Sequence, residues 1–350
     1  MRRRCAASAP YDGQVEIGSV NPLKRPTIRD VALVAGVSKS LVSLAFREPD
    51  RVAAAKLERI QAAAEKLGYV PNLSAQSLSS HSASFVGVIV VDLANPLQTE
   101  LADRVRSELA ARDIFALMTT AAPKNRRLDY ADQVKRTLSA IRDLRPRGLI
   151  VVGTMPDMDA LMQVSSASRV CVTSAIAATG HPVHVVRVDD ALGIELALAE
   201  LSMHECIRPV FVGGLGGAVS RARQQAFERL SAKWPKARVL LADYGYAAGL
   251  AAGQQLIVDA AVPGGELPDG VIAHNDLTAF GVQAAFLDAG LPLPRLVSFD
   301  NTQIAGFSQL AVSSLDHDND AIAAEAVRWL FSDEPPGEVL VRPKLVRRGA

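Results

Sequence analysis

Residues 27–46 read Thr27-Ile28-Arg29-Asp30-Val31-Ala32-Leu33-Val34-Ala35-Gly36-Val37-Ser38-Lys39-Ser40-Leu41-Val42-Ser43-Leu44-Ala45-Phe46. Thr27 followed three residues on by Asp30 is a capping box, in which the hydroxyl can cap an exposed amide and the acid reciprocates. The spacing predicts a helix to about Ala35, with Ile28, Val31, Ala32 and Ala35 sharing one face. Gly36 breaks it, and Ser38 is a second N-cap opening a helix over Lys39–Phe46. A third helix is expected over Ala53–Leu67, carrying Leu57, Ile60, Ala64 and Leu67 at helical spacing and stopped by Gly68. Three short helices with a glycine turn between the first two make a helix-turn-helix pattern.

In that pattern the second helix enters the major groove and its first residues meet base edges. Lys39, Ser40 and Ser43 can donate or accept hydrogen bonds there, while Leu41 or Leu44 could touch a thymine methyl. Val42 and Ala45 turn toward the first helix and are assigned to the core. Arg29, Arg47, Arg51 and Lys56 are candidates for phosphate contacts, which set register without reading sequence. The bland alternative is a small helical bundle with solvated charges. A net charge of +1 over 350 residues decides nothing on this point, but the charge is segregated. Residues 1–82 hold 12 Lys and Arg against 7 Asp and Glu, leaving 26 against 30 for the rest. A basic head on a mildly acidic body suits a protein whose head alone meets phosphate.

From Ser84 onward apolar strands alternate with helices. Phe85–Val91, Ile114–Thr119, Gly148–Val152, Arg169–Thr173, Val185–Val188, Pro209–Gly213, Val239–Ala242, Gly270–Ala273, Arg295–Phe299 and Ser313–Leu315 are expected strands. The segments between most of them carry helical periodicity. Such repetition predicts parallel sheets with helices on both faces, and the number of strands predicts two similar lobes.

Thr27–Ala32, Ala35-Gly36-Val37-Ser38, Val42-Ser43 and Leu67-Gly68-Tyr69-Val70-Pro71-Asn72 closely resemble the head of the LacI/GalR family of bacterial repressors. The resemblance runs through Ala75 and Leu78 and covers the chain after Lys24. It implies DNA contacts by Thr27, Arg29, Ser38, Lys39, Ser40, Leu41, Ser43, Leu44 and Arg47. It further implies a hinge helix capped by Asn72, containing Ala75, with Leu78 wedging into a minor-groove step. Relatives often carry an arginine after the Val-Ser pair and an asparagine three residues later. Leu44 and Arg47 stand there instead, so the operator sequence is not implied.

Asp92-Leu93-Ala94-Asn95-Pro96 resembles the first strand-to-helix turn of the family's ligand-binding domain, itself similar to periplasmic sugar-binding proteins. Ligand crevices of open α/β sheets lie at such carboxyl strand ends. Relatives follow Asn-Pro with two aromatics, whereas this chain has Leu97 and Gln98, arguing against ring stacking at that wall. The resemblance nominates Asn95, Gln98, Asp189, Arg223, Asn275, Asp276 and Asp300 for the effector. Helix capping is the favoured role of Asp189 and Asp190, and Asp276 competes between capping and ligand. Arg221 rivals Arg223 because the register across Gly213–Gly217 is uncertain. That glycine run is not spaced as a dinucleotide-binding loop.

The expected fold is an all-α helix-turn-helix head followed by an α/β two-lobed, periplasmic-binding-protein-like domain with parallel doubly wound sheets. The expected division is a flexible tail over 1–24, the head over 25–71, hinge helix and linker over 72–83, and the two-lobed domain over 84–350. Lobe 1 is expected over about 84–174 and 313–335, and lobe 2 over about 175–312 and 336–350. The expected function is a sequence-specific repressor controlled by a small-molecule effector, a sugar or sugar derivative. Its partners would be a near-palindromic double-stranded DNA operator and a second copy of itself, a homodimer. Cys5, Cys171 and Cys206 lie far apart, and no metal or cofactor is expected. No apolar stretch reaches membrane length and no secretory pattern follows Met1–Arg4, which points to the cytoplasm and nucleoid. The alternatives are a solute-binding protein or a doubly wound enzyme, and the scattered histidines offer the latter no catalytic set.

Overall fold

A computed structural model describes residues 26–70, 85–121, 130–155, 157–165, 169–176 and 181–348. The expectations for the tail, for Asn72, Ala75 and Leu78, and for the hinge helix lie outside the described residues. The chain divides into two compact units, residues 1–79 and 80–350.

In the first unit α1 spans Ile28–Ala35, α2 Lys39–Arg47 and α3 Ala54–Leu67. The Asp30 carboxylate accepts from both the amide and the hydroxyl of Thr27, at 2.7 and 2.8 Å, and so anchors the start of α1. Ser38 caps α2 by accepting from the Leu41 amide at 3.2 Å. Gly36 ends α1 at φ +62°, a left-handed conformation in which a Cβ would be strained. Arg59 of α3 donates to the Ala35 carbonyl at 2.6 Å, satisfying an orphan acceptor at that helix end. Val31, Ala32, Ala35, Val42, Ala45, Ile60 and Ala64 form the small core.

The second unit holds two six-stranded sheets. The first orders β11-β5-β4-β3-β1-β2, with β1 Phe85–Val90, β2 Phe115–Thr120, β3 Gly148–Val152, β4 Arg169–Thr173, β5 His184–Val188 and β11 Glu338–Val341. The second orders β12-β10-β9-β8-β6-β7, with β6 Pro209–Gly214, β7 Arg238–Ala242, β8 Gly270–Ala273, β9 Arg295–Asp300, β10 Ser313–Asp316 and β12 Lys344–Val346. Pairing is parallel throughout except for β12, which runs antiparallel to β10. The helices are α4 Pro96–Ala110, α5 Tyr130–Leu144, α6 Met158–Val164, α7 Asp190–Met203, α8 Ala218–Leu230, α9 Tyr246–Ala261, α10 Asp276–Asp288 and α11 Asn319–Leu330. Each sheet is covered on both faces by a separate apolar cluster, which explains why strands such as Phe85–Val90 are apolar without alternation.

The lobe boundaries differ from expectation. Strand β5 pairs with β4 (Val172 opposite Val185), so lobe 1 extends to Val188 rather than about 174. Strand β10 pairs with β9 (Ser313 opposite Val297) and belongs to lobe 2, whereas β11 returns to pair with β5 in lobe 1. The cause is that an apolar strand shows its own buried faces but not which distant strand it will join. The chain therefore crosses between lobes three times, after β5, after β10 and after β11.

Helices α9 and α10 cross at very close range because glycines line the contact. A Cβ on Gly249 would collide with the Thr278 backbone, and one on Gly281 with the backbones of Tyr246 and Leu250. Gly281→Ala is expected to cost about 1–3 kcal/mol in urea unfolding, as overpacking does. Gly337→Ala, where a Cβ meets nothing within 4 Å, is the control expected to change little.

Candidate functional site

On the head, Thr27, Arg29, Ser38, Lys39 and Ser40 are all exposed, and Arg29, Ser38 and Lys39 line one shallow groove with Leu33. Leu33 is 83% exposed, a large apolar side chain that the sequence pattern left unassigned. Leu41, Ser43 and Leu44 are half-buried, and both leucines rest one side on the core that contains Val42 and Ala45. Arg51 is committed to Glu48 at 2.5 Å, which leaves it less available to phosphate than Arg29 or Lys56. For Arg47 the structure describes the backbone alone, at the end of α2.

In the body, the carboxyl ends of the strands open on a cleft of about 530 Å³ between the lobes. That volume suits a small metabolite. Asn95, Gln98, Arg223, Asn275 and Asp300 all line it. Asn95 and Asn275 are also N-caps, accepting from Leu97 and Thr278 amides at 3.0 and 2.9 Å. Gln98 Oε1 accepts from the Asp92 amide at 2.8 Å, which fixes the turn after β1.

Arg223, on the inner face of α8, is 3% exposed and lines the cleft, while Arg221 points to solvent. A guanidinium buried this deeply needs compensation. Its Nε donates to Asp190 Oδ1 at 2.7 Å and its Nη1 donates to the His274 carbonyl. Asp300 Oδ1 lies 4.0 Å from Nη1, His317 Nε2 lies 3.4 Å from Nη2, and the Phe299 ring packs 3.9 Å beneath. Asp190 also receives Arg187 Nη1 at 2.9 Å, and Arg187 Nε donates to Glu338 at 2.8 Å. His274 hydrogen-bonds Ser220 at 2.5 Å and Thr278 at 3.0 Å, and the Tyr244 ring stacks on it at 4.3 Å. Burial, then the Arg223 charge, pushes His274 down to about 3, and the same two causes hold His317 well below its ordinary value.

Asp189 and Asp276 are not brought to the cleft. Asp189 caps α7 by accepting from the Leu192 amide at 3.0 Å, and its neighbour Asp190 is the acid that faces inward. Asp276 is buried among Ser298, Ser314 and Thr302, whose hydroxyls donate to it at 2.5, 2.7 and 2.8 Å. Tyr244 and His317 escaped sequence reasoning although each directly follows a strand of lobe 2, the same signal that found Asn95. Tyr244 supplies an aromatic side chain on a different part of the cleft from the Leu97 and Gln98 wall. Among the described residues no group of His, Cys, Asp and Glu could hold a metal, and no helix is long and apolar enough to cross a membrane.

One chain thus carries a helix-turn-helix head and a two-lobed domain with a cleft of small-metabolite size. A model of bacterial regulatory proteins of the lacI family matches residues 27–72, and a periplasmic binding protein-like domain matches residues 198–350. The chain is 29% identical to the maltose regulon regulatory protein MalI of Escherichia coli K12 over 202 residues, 57% of each chain. It is 24% identical to the HTH-type transcriptional repressor CytR of the same strain over 323 residues, 89% of this chain and 90% of that one. The lac repressor dimer bound to operator and the anti-inducer ONPF superposes with a TM-score of 0.77 at 20% identity, covering 93% of this chain and 98% of that one. The transcriptional regulator CelR in complex with cellobiose gives 0.64 at 20% identity, covering 93% and 99%. The chain thus carries a lacI-family helix-turn-helix domain and a periplasmic binding protein-like domain.

Burial pushes the Asp300 carboxyl up to about 8, with Arg223 opposing and Asp276, Asp190 and Glu100 reinforcing. In the unfolded chain an aspartate titrates near ~4. Unfolding therefore releases this proton, and the stability it contributes is lost as pH climbs toward 8. The depressed histidines act oppositely until their unfolded forms have shed their protons, about one unit above the ordinary 6.5, so the carboxyl dominates only above about pH 7.5. From there toward pH 8 the protein is expected to lose stability as pH rises, by less than about 1.4 kcal/mol per pH unit in thermal or urea unfolding. Asp300→Asn should flatten that slope.

Proposed function

We propose that this chain is a homodimeric transcriptional repressor whose operator binding is set by a sugar or sugar derivative held between the lobes. The observation that carries the reading is the cleft itself, where polar side chains from both lobes converge around one buried guanidinium. Hydroxyl-rich ligands match that arrangement of carboxyl, guanidinium and carboxamide groups. The CelR relative was solved with cellobiose, and a LacI family regulator from Enterococcus faecium with bound ribose. A ligand touching both lobes biases their arrangement by its differential affinity for the two states, which is all that control of the head requires.

On the DNA side, Lys39, Ser40 and Ser43 would read bases, with Leu41 and Leu44 on thymine methyls. Thr27, Arg29, Ser38 and Arg47 would hold the backbone. Residues 72–83 would form the hinge helix, with Asn72 as cap, Ala75 within it and Leu78 as the minor-groove wedge. Two copies would meet a near-palindromic operator, each reading one half-site. Such a protein would work in the cytoplasm, on the nucleoid.

Footprinting at moderate salt should reveal a protected near-palindrome, and protection no different from random DNA would sink the proposal. Lys39→Ala should weaken operator binding about tenfold, as expected of one base-edge contact. Leu78→Ala should reduce bending and specific affinity more than nonspecific affinity. Arg223→Lys keeps the charge but loses the planar fork, so effector affinity should fall at least about tenfold with operator binding unchanged.

A further inference from the structure

Both guanidinium groups that reach the cleft are already matched by the protein. Arg187 is held by Asp190 at 2.9 Å and Glu338 at 2.8 Å. Arg223 is held by Asp190 at 2.7 Å, with Asp300 at 4.0 Å. These two cations thus face two carboxylates, Asp190 and Glu338, and the Asp300 carboxyl, which burial keeps protonated at neutral pH. His317, 3.6 Å from Asp300 and 3.4 Å from Arg223, adds no charge because burial and Arg223 keep it neutral.

A second feature points the same way. Helices α8 and α9 both start at glycines, Gly217 and Gly245, that line the cleft and supply no side-chain cap. Two uncapped N-termini would ordinarily attract an anion. Asp243, also on the cleft wall, stands there first. Its Oδ1 accepts from the Tyr244 amide at 2.7 Å and lies against Gly216, two residues before the start of α8. The protein's own carboxylate therefore stands beside both helix ends, close to Gly216 in space and two residues before Gly245 along the chain. What the floor still offers is the Asp300 carboxyl, 6% exposed and without a hydrogen-bond partner among the described residues, beside the Tyr244 ring.

Resting on the effector-cleft reading above, we propose that the cleft is charge-selective. It accepts an uncharged hydroxylated ligand and rejects the phosphorylated or carboxylated form of the same molecule. Asp190 and Asp243 are the residues that impose this choice, by occupying the positions an anion would need.

The test is thermal shift and calorimetry on the full chain with inorganic phosphate, and with matched pairs: ribose and ribose 5-phosphate, glucose with glucose 6-phosphate and gluconate. Phosphate at about 20 mM should not stabilise the wild type, and any sugar that binds should lose at least about tenfold in affinity when it carries the anion. Asp243→Asn should make the protein bind phosphate, seen as a new stabilisation. Asp190→Asn should do the same at the floor, and the surface-facing Asp243 variant keeps the test decisive if that one fails to fold. Stabilisation of the wild type by phosphate, tighter binding of a phosphorylated sugar, or a folded Asp243→Asn protein that gains no phosphate binding would each overturn the proposal. Silence of every neutral sugar would count against the effector reading, while the phosphate measurements still decide the charge balance.

Discussion

The ion pair between Arg223 and Asp190, 2.7 Å long and almost wholly buried, organises the body of this protein. A guanidinium removed from water must find acceptors for its N–H groups and a counter-charge, or the fold loses several kcal/mol. That requirement gathers residues from four separate segments of the chain. Asp190 arrives at the start of α7, the His274 carbonyl at the end of β8, Asp300 at the end of β9 and His317 just past β10. Each lies at the carboxyl end of a parallel strand or the start of the following helix, so the electrostatic requirement and the topological crevice coincide. Arg187 then extends the chain of charges to Glu338, tying β5 and β11 of lobe 1 to the floor in lobe 2.

Local signals in the sequence were sufficient where the physics is local. The helix starts at Thr27 and Ser38 and the stops at Gly36 and Gly68 depend on neighbours within four residues, and all four lie where expected. The strand-end rule reached Asn95 and Asn275 because each follows a fully apolar strand, and Asp300 because it ends one that is mostly buried. It stopped short of Tyr244 and His317 because their strands are weaker signals: β7 is an exposed edge, and three of the four residues of β10 are serine or aspartate. Choosing Arg223 over Arg221 needed the buried face of α8. Non-local facts stayed hidden. Nothing near Asp276 in the sequence announces that Ser298, Thr302 and Ser314 will satisfy its carboxylate. Likewise, nothing in Val185–Val188 says that it pairs with Val172 rather than opening a new sheet.

The head makes a different use of the same rules. Its core is small residues, alanine and valine, closed by Ile60, so its stability rests on caps and close packing rather than on large apolar area. This leaves the exposed start of α2 free of structural duty. Ser38 caps while Lys39 and Ser40 project outward, so substitutions at those two positions can change what is read without changing what folds.

The three crossings between the lobes carry a consequence for how the chain is made. Strand β11, which completes the edge of the first sheet, emerges from the ribosome only after nearly all of lobe 2. Strand β12, which completes the second sheet, follows within a few residues. Neither lobe can close its sheet during synthesis, and both finish together at the last stretch of translation. Long-range strand pairing of this kind is slow and leaves β5 and β10 as unpaired edges in the interim. A nascent chain stalled before Glu338 would therefore display two open edges at once, the state in which chaperone capture or misassembly competes most directly with folding.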